Sequence, residues 1–435
     1  MKNCLLRLHS YYNNLFKSSE IRRGITKVYS GDVFSNIIGM ATALFIIRGL
    51  PINDYAAYTA FFSILMLVPL IVGSGVNMAL VRFSAEYISK SNEKPVELYV
   101  ASFIFQLALY LILAITMLLL SDKVSNILFG QKAFDSSLRY GLIGGAGYLV
   151  SQAGRGVYNA EEKFGIYIKT LWLRQTLVFF FIAVLFLLER LNFQRAAQVV
   201  TFVELSVAAI ITFHVFRGIN IAMILKGFRK QSSTIKEFMS STKWLIAYFF
   251  VLVAYQKLDV FMLSHFSSEN EFANYGVAFR YYSIAMLALS SIHAVLLPKF
   301  SRVDMQDLAK QRQFSYKWIK TTVWLIFPLA IVDIFGKSLF VLVNGIQYEK
   351  AFYMFTILSV SILLSLMFSP LVQIIMARKA FKFLFLLGVG AFLLNFAGNY
   401  FLIPVWGGLG AALVVILSNG FINIASWLRI LYSTK

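Results

Sequence analysis

Cysteine, histidine, proline and acidic side chains are all scarce in this chain. One cysteine, Cys4, stands in 435 residues. It excludes an internal disulfide and a cysteine-based metal cluster. The four histidines, His9, His214, His265 and His293, are scattered without zinc spacing. No Ser/His/Asp or Cys/His arrangement can be assembled from the sequence, so no catalytic residue, metal or cofactor is expected. Gly336-Lys337-Ser338 ends like a phosphate-binding loop, but Ile331 stands where the first glycine belongs. An ATPase site is thereby excluded. No signal-peptide cleavage pattern precedes the first apolar run, so membrane insertion is expected to begin with that run itself.

Charge is the scarcest commodity of all. Only 14% of residues are charged and 59% are hydrophobic; the mean hydropathy is +0.72. Soluble domains carry about a quarter charged residues. A soluble fold of this length could not hide so much Leu, Ile, Val and Phe, so apolar runs that cross a bilayer are the expected form. Twelve such runs can be read: 28–47, 55–80, 98–120, 138–154, 164–188, 196–216, 244–264, 274–297, 321–343, 351–376, 383–403 and 407–428. The expected fold is all-α, with about twelve transmembrane helices in two six-helix halves. These are residues 28–216 and 244–428, joined by a basic linker, 217–243. An N-terminal arm, 1–27, and a tail, 429–435, flank them.

The charges that remain are lopsided. Lys and Arg number 40 against 20 Asp and Glu. Counted at alternate ends of the spans, 29 basic residues fall on one side and 8 on the other. That alternation supports twelve spans and predicts that both termini are cytoplasmic. The basic residues lie in short loops, so the excess signals membrane topology and not nucleic acid. No loop is long enough to hold a soluble domain.

The halves match at an offset of 217 residues. Ala56 and Tyr58 correspond to Ala273 and Tyr275, Phe62 to Phe279, Ser74 to Ser291, and Arg82-Phe83-Ser84 to Lys299-Phe300-Ser301. Ala160 and Phe164 correspond to Ala377 and Phe381. Each identity is cheap in so apolar a chain; one common register is the evidence. Six spans per half preserve orientation, so the repeat is parallel and a binding site is expected between the halves near mid-membrane.

Several charges fall where lipid should be. A charge facing lipid in mid-span costs at least ~2.5–3.5 kcal/mol, so these groups should face the interior. Lys257 and Arg280 sit deepest, in adjacent spans, and are expected to attract an anionic group such as phosphate. Arg174, Asp32 and Asp333 lie near enough to span ends to snorkel. Lys257 and Asp259 are two residues apart and should not share a helix face. Tyr255 and Gln256, with Tyr248, Tyr281 and Tyr282, crowd the seventh and eighth spans, and Ser35 and Asn36 lie one turn from Asp32. Such groups suit a sugar, with Lys257, Arg280, Arg174, Asp32, Asp259, Tyr255, Gln256 and Asn36 as candidate cavity residues. Tyr275, at a span start, reads instead as an interfacial belt residue. Asp32, Asp259 and Glu204 are candidates for ion or proton coupling. Gly141, Gly144, Gly145 and Gly147 form one small-residue face, and Gly407, Gly408, Gly410, Ala411 and Ala412 another; close helix packing is the plainer account of both. Pro69, Pro328 and Pro370 interrupt spans and permit bends.

The stretch from Asn395 to Ala412, NFAGNYFLIPVWGGLGAA, resembles the late-helix signature of bacterial polysaccharide flippases. Asp259 to Leu263, then Tyr275, then Pro298-Lys299-Phe300-Ser301, is similar to that family's pattern in its seventh and eighth helices. Leu413 and Val414 depart from it, since many relatives continue with smaller residues. The resemblance spans essentially the whole chain and places it in the multidrug/oligosaccharidyl-lipid/polysaccharide exporter superfamily. It implies two six-helix lobes in a V around a central cavity. It implies a cargo of undecaprenyl-diphosphate-linked oligosaccharide, O-antigen or a similar surface polysaccharide, flipped across a bacterial inner membrane with cationic cavity residues on the diphosphate. Polysaccharide polymerase and chain-length machinery are the implied protein partners. A small-molecule or drug antiporter on the same fold is the rival, and it would want an acidic cavity. A polymerase or ligase would need a long outer loop that is missing.

Overall fold

A computed structural model describes residues 19–91, 95–129, 134–217, 232–300, 307–378 and 380–432. Cys4, His9 and much of the N-terminal arm lie outside the described residues. So do 218–231 of the linker, 301–306 of the following basic loop, and the side chains of Asp32, Arg82 and His293. Every regular element among the described residues is helical. That is what hydrocarbon demands, because a helix satisfies its own backbone hydrogen bonds where no water can.

The N-terminal half contains α1 (Ser19–Gly49), α2 (Ile52–Ser91), α3 (Val96–Leu119), α4 (Ser121–Phe129), α5 (Asp135–Ala160), α6 (Phe164–Leu187) and α7 (Phe193–Phe216). The C-terminal half contains α8 (Ser232–Phe266), α9 (Glu269–Phe300), α10 (Leu308–Thr322), α11 (Ile326–Phe335), α12 (Lys337–Asn344), α13 (Glu349–Met367), α14 (Ser369–Ala377) and α15 (Phe381–Tyr432). Among the described residues eight stretches are long and apolar enough to cross a membrane by length and composition. A ninth, 33–49 of α1, is apolar but shorter. The protein is a multi-pass membrane protein.

Several boundaries differ from the sequence reading. The linker does not run unbroken to residue 243, because α8 begins at Ser232. The ninth span is not 321–343. It runs from Leu308 to Phe335, and Gly336 separates it from α12. The break leaves Lys337 outside the span, where Glu349 pairs with it at 2.6 Å. That hydrogen bond holds the ammonium's pKa above its ordinary value. The eleventh and twelfth spans follow each other without a loop, and the chain turns between them at Gly407, whose φ of 53° suits a residue without a Cβ. A short helix, α4, fills a loop that carried no helix in the sequence reading.

Packing separates one shared core from two private ones. The largest buried cluster draws on both halves: Ile46, Ile47, Phe61 and Ile64 from α1 and α2, and Val260, Leu263, Phe272 and Ala278 from α8 and α9. All of these lie toward the sparsely basic end. Toward the basic end each half also has a cluster of its own among the described residues. Val76, Leu80, Leu98 and Val157 form one cluster within the N-terminal half. Tyr248, Leu371, Ile374 and Leu384 form another within the C-terminal half. The two lobes therefore meet at one end and part toward the other, as a V does.

The joined end is also pinned by specific contacts. Phe129 of α4 packs on Phe261 of α8, with ring centroids 5.5 Å apart, and Phe134 packs on Phe272 at 5.9 Å. Arg48 in the last turn of α1 donates from Nε to the Val343 carbonyl at 2.7 Å and from Nη2 to the Leu342 carbonyl. These carbonyls close α12, where the helix dipole presents partial negative charge. Gly276 of α9 lies so near α2 that a Cβ would stand 2.5 Å from Thr59 Oγ1. The expected glycine face of α5 behaves the same way, since a Cβ on Gly147 would strike the Glu204 backbone of α7 at 2.6 Å.

Candidate functional site between the lobes

A cavity of about 70 Å³ lies where the lobes part. That is room for several waters. Tyr58, Phe62 and Ser63 of α2 line it on one side, and Lys257 of α8 with Phe279 and Arg280 of α9 on the other. Among the described residues no Asp or Glu lines it.

The two cations meet rings instead of carboxylates. The Lys257 ammonium lies 5.0 Å from the Phe279 ring centroid. The Arg280 guanidinium lies 4.8 Å from that of Phe62, across the lobe boundary. Arg280 Nε is buried and has no hydrogen-bond partner among the described residues. The adjacency of the two spans foreshadowed this meeting; the crossing to Phe62 did not show in the sequence.

Asp259 takes no part in the lining, as the two-residue spacing from Lys257 implies. It is 2% exposed and accepts a hydrogen bond from the Tyr275 hydroxyl. Its Oδ1 has no partner. Tyr275 is therefore not a belt residue. It is fully buried, because one more helical turn precedes it than the apolar pattern suggested: α9 begins at Glu269. Tyr255 is buried and donates to Asn419 Oδ1 at 2.9 Å, and Asn419 in turn donates to Ser361 Oγ at 2.6 Å. Tyr255 thus ties α8 to α13 and α15. Gln256 is exposed and absent from the lining, and Asn36 is half-buried in α1 outside it. Asp32 lies in α1, its side chain outside the described residues. Asp333 does not snorkel freely, since its Oδ2 accepts from Ser359 Oγ at 2.8 Å.

A second polar group sits inside the N-terminal lobe. Arg174 of α6 does not snorkel to a span end. Its Nη2 lies 2.5 Å and its Nε 2.6 Å from Glu204 Oε1 on α7. Glu204 is fully buried. Arg155, counted in the sequence as a loop charge, falls within α5 and is 5% exposed. The sequence reading ended that span at Gly154, six residues before the helix ends at Ala160. Helical spacing from Tyr148 through Ser151 and Gln152 was the signal available for it.

Among the described residues no cluster of three or more His, Cys, Asp and Glu could hold a metal ion. The cavity offers two ring-held cations and the hydroxyl groups of Tyr, Ser and Thr.

The chain belongs to a polysaccharide biosynthesis protein family, whose model matches residues 21–304. No curated protein matches it. Its fold is that of the multidrug and flippase transporters. The lipid II flippase MurJ, in an inward closed conformation, superposes with a TM-score of 0.74 at 12% identity, covering 93% of this chain and 87% of that one. An inward-facing multidrug resistance transporter of the MATE family gives 0.70 at 14% identity, covering 94% and 97%. A transporter of the same superfamily from Pyrococcus furiosus, described as having a binding pocket of reverse polarity, gives 0.64 at 14% identity, covering 96% and 97%.

Proposed function

We propose that this protein flips undecaprenyl-diphosphate-linked oligosaccharide repeat units from the cytoplasmic to the periplasmic leaflet of a bacterial inner membrane by alternating access. The units would supply O-antigen or a similar surface polysaccharide. Membership of a polysaccharide biosynthesis family supports the substrate class. The observation that carries the reading is the cavity lining, with Lys257 and Arg280 present and no carboxylate among the described residues. A drug antiporter taking cationic substrates would need the opposite sign.

The physics of the task suits the site. An oligosaccharide cannot cross hydrocarbon bare, because each unpaired hydroxyl costs roughly 2–7 kcal/mol. Polar groups between the lobes replace its water, while the polyprenyl tail stays in lipid. Lys257 and Arg280 receive the diphosphate. Outward movement of that anion is favoured by about 2.3 kcal/mol per charge per 100 mV. With the basic end cytoplasmic by the positive-inside rule, the lobes part toward the cytoplasm, the side on which substrate is made.

In a strain lacking the gene, complementation with Lys257→Ala or Arg280→Ala should restore little surface polysaccharide at normal membrane levels of protein. Wild-type polysaccharide from both variants would remove the two cations from the mechanism. Undiminished polymer from the deletion strain itself, with no related flippase present, would remove the flippase reading.

A further inference from the structure

Phe62 and Phe279 occupy the same position of the 217-residue repeat. Each holds one cation over its ring, and both rings line the one cavity. The cations themselves are not repeat-related: Met40 and Ser63 stand at the positions equivalent to Lys257 and Arg280. The ring is the shared element and the cation the variable one. A cation between lobes in low dielectric needs compensation. A carboxylate would supply it but would compete with any anion arriving. The negative face of an aromatic ring attracts the cation while leaving its charge unneutralised.

We propose that Phe62 and Phe279 are positioning residues for anion capture, holding Arg280 and Lys257 charged, oriented and free of a carboxylate partner. This rests on the reading that the two cations receive an anionic head. Lys257 keeps its ring within one lobe. Arg280 takes its ring from the other lobe, so its hold exists only while α2 and α9 are together.

Progressive fluorination of the ring tests the idea, since it drains the ring's negative face at nearly constant size. Purified protein carrying mono-, di- or trifluorophenylalanine at 62 or at 279 is titrated with farnesyl diphosphate. Kd should rise stepwise with fluorination, by roughly 2- to 30-fold over the series. Phe279→Leu should weaken binding as the trifluoro ring does, and Phe279→Trp should recover it. A flat series, with Lys257→Ala and Arg280→Ala still weakening binding, would make the rings mere packing and overturn the proposal while leaving the anion site standing. Tighter binding on fluorination would overturn it too, by making the rings competitors of the ligand. Unchanged Kd in Lys257→Ala and Arg280→Ala would remove the anion site, and the proposal with it.

Discussion

Arg174 and the pair Lys257 and Arg280 are partly buried cations with different surroundings. In the N-terminal lobe the Arg174 guanidinium meets the Glu204 carboxylate at hydrogen-bonding distance. In the C-terminal lobe Lys257 and Arg280 meet phenylalanine rings, while the nearby carboxylate, Asp259, is occupied by Tyr275. At the 217-residue offset, Phe421 stands opposite Glu204 and Thr42 opposite Asp259. Arg174 of the N-terminal lobe thus has a carboxylate counterion, whereas Arg155 in the same lobe and Lys257 and Arg280 in the other form no ion pair among the described residues. Paired charge serves architecture, because each partner already has its counterion. Charge left without a carboxylate, beside a cavity, is available to a ligand.

That contrast can be broken most severely in the N-terminal lobe. Glu204→Gln leaves Arg174 as a buried cation without its anion, a loss of about 3–5 kcal/mol. Thermal unfolding in detergent should show a large destabilisation. The double variant Glu204→Leu with Arg174→Met, which removes both charges, should recover most of it. Equal stability of Glu204→Gln and the parent would mean that the pair is not structural.

A smaller effect is expected within the C-terminal lobe. Tyr275→Phe strips Asp259 of its hydroxyl donor and should cost about 1–3 kcal/mol. Tyr58→Phe, at the equivalent repeat position, removes no hydrogen bond to a carboxylate seen among the described residues and should cost less under the same measurement. Similar losses at both sites would erase the difference between the lobes.

The smallest effect concerns the contact that joins them. Arg48→Ala removes a cation from the carbonyl end of α12. In a background with Cys4 replaced, Thr59→Cys reports access to the joined end. A membrane-impermeant thiol reagent added from outside should label it roughly 2- to 5-fold faster once Arg48 is gone. An unchanged rate would show that the aromatic contacts of Phe129 and Phe134 close that end alone.

Much of this was legible in the linear chain. The apolar runs were read as helices, and the alternation of 29 and 8 basic residues marked two ends that the packing also distinguishes. Lys257 and Arg280 could be singled out because hydrocarbon leaves so few reasons to keep a charge. Arg155 escaped because it follows Gly154 at the edge of an apolar run and looks like a loop residue. Tyr275 escaped for the mirror reason: polar residues precede it, though α9 already includes them. Arg174 looked able to reach water because its distance along the chain said nothing of Glu204, 30 residues away on the next helix.

The sequence by itself determined the class of protein, since hydropathy and loop charge act locally along the chain and the bilayer reads them one segment at a time. Its scattered identities also fall in one common register, which is the ground for expecting a repeat. Only the tertiary structure decided which charges are neutralised. That outcome depends on which helix faces which, and on distances of about 3 Å between residues far apart in the chain. It also decided that the core the lobes share among the described residues lies toward the sparsely basic end, because packing, unlike insertion, is settled between helices and not within them.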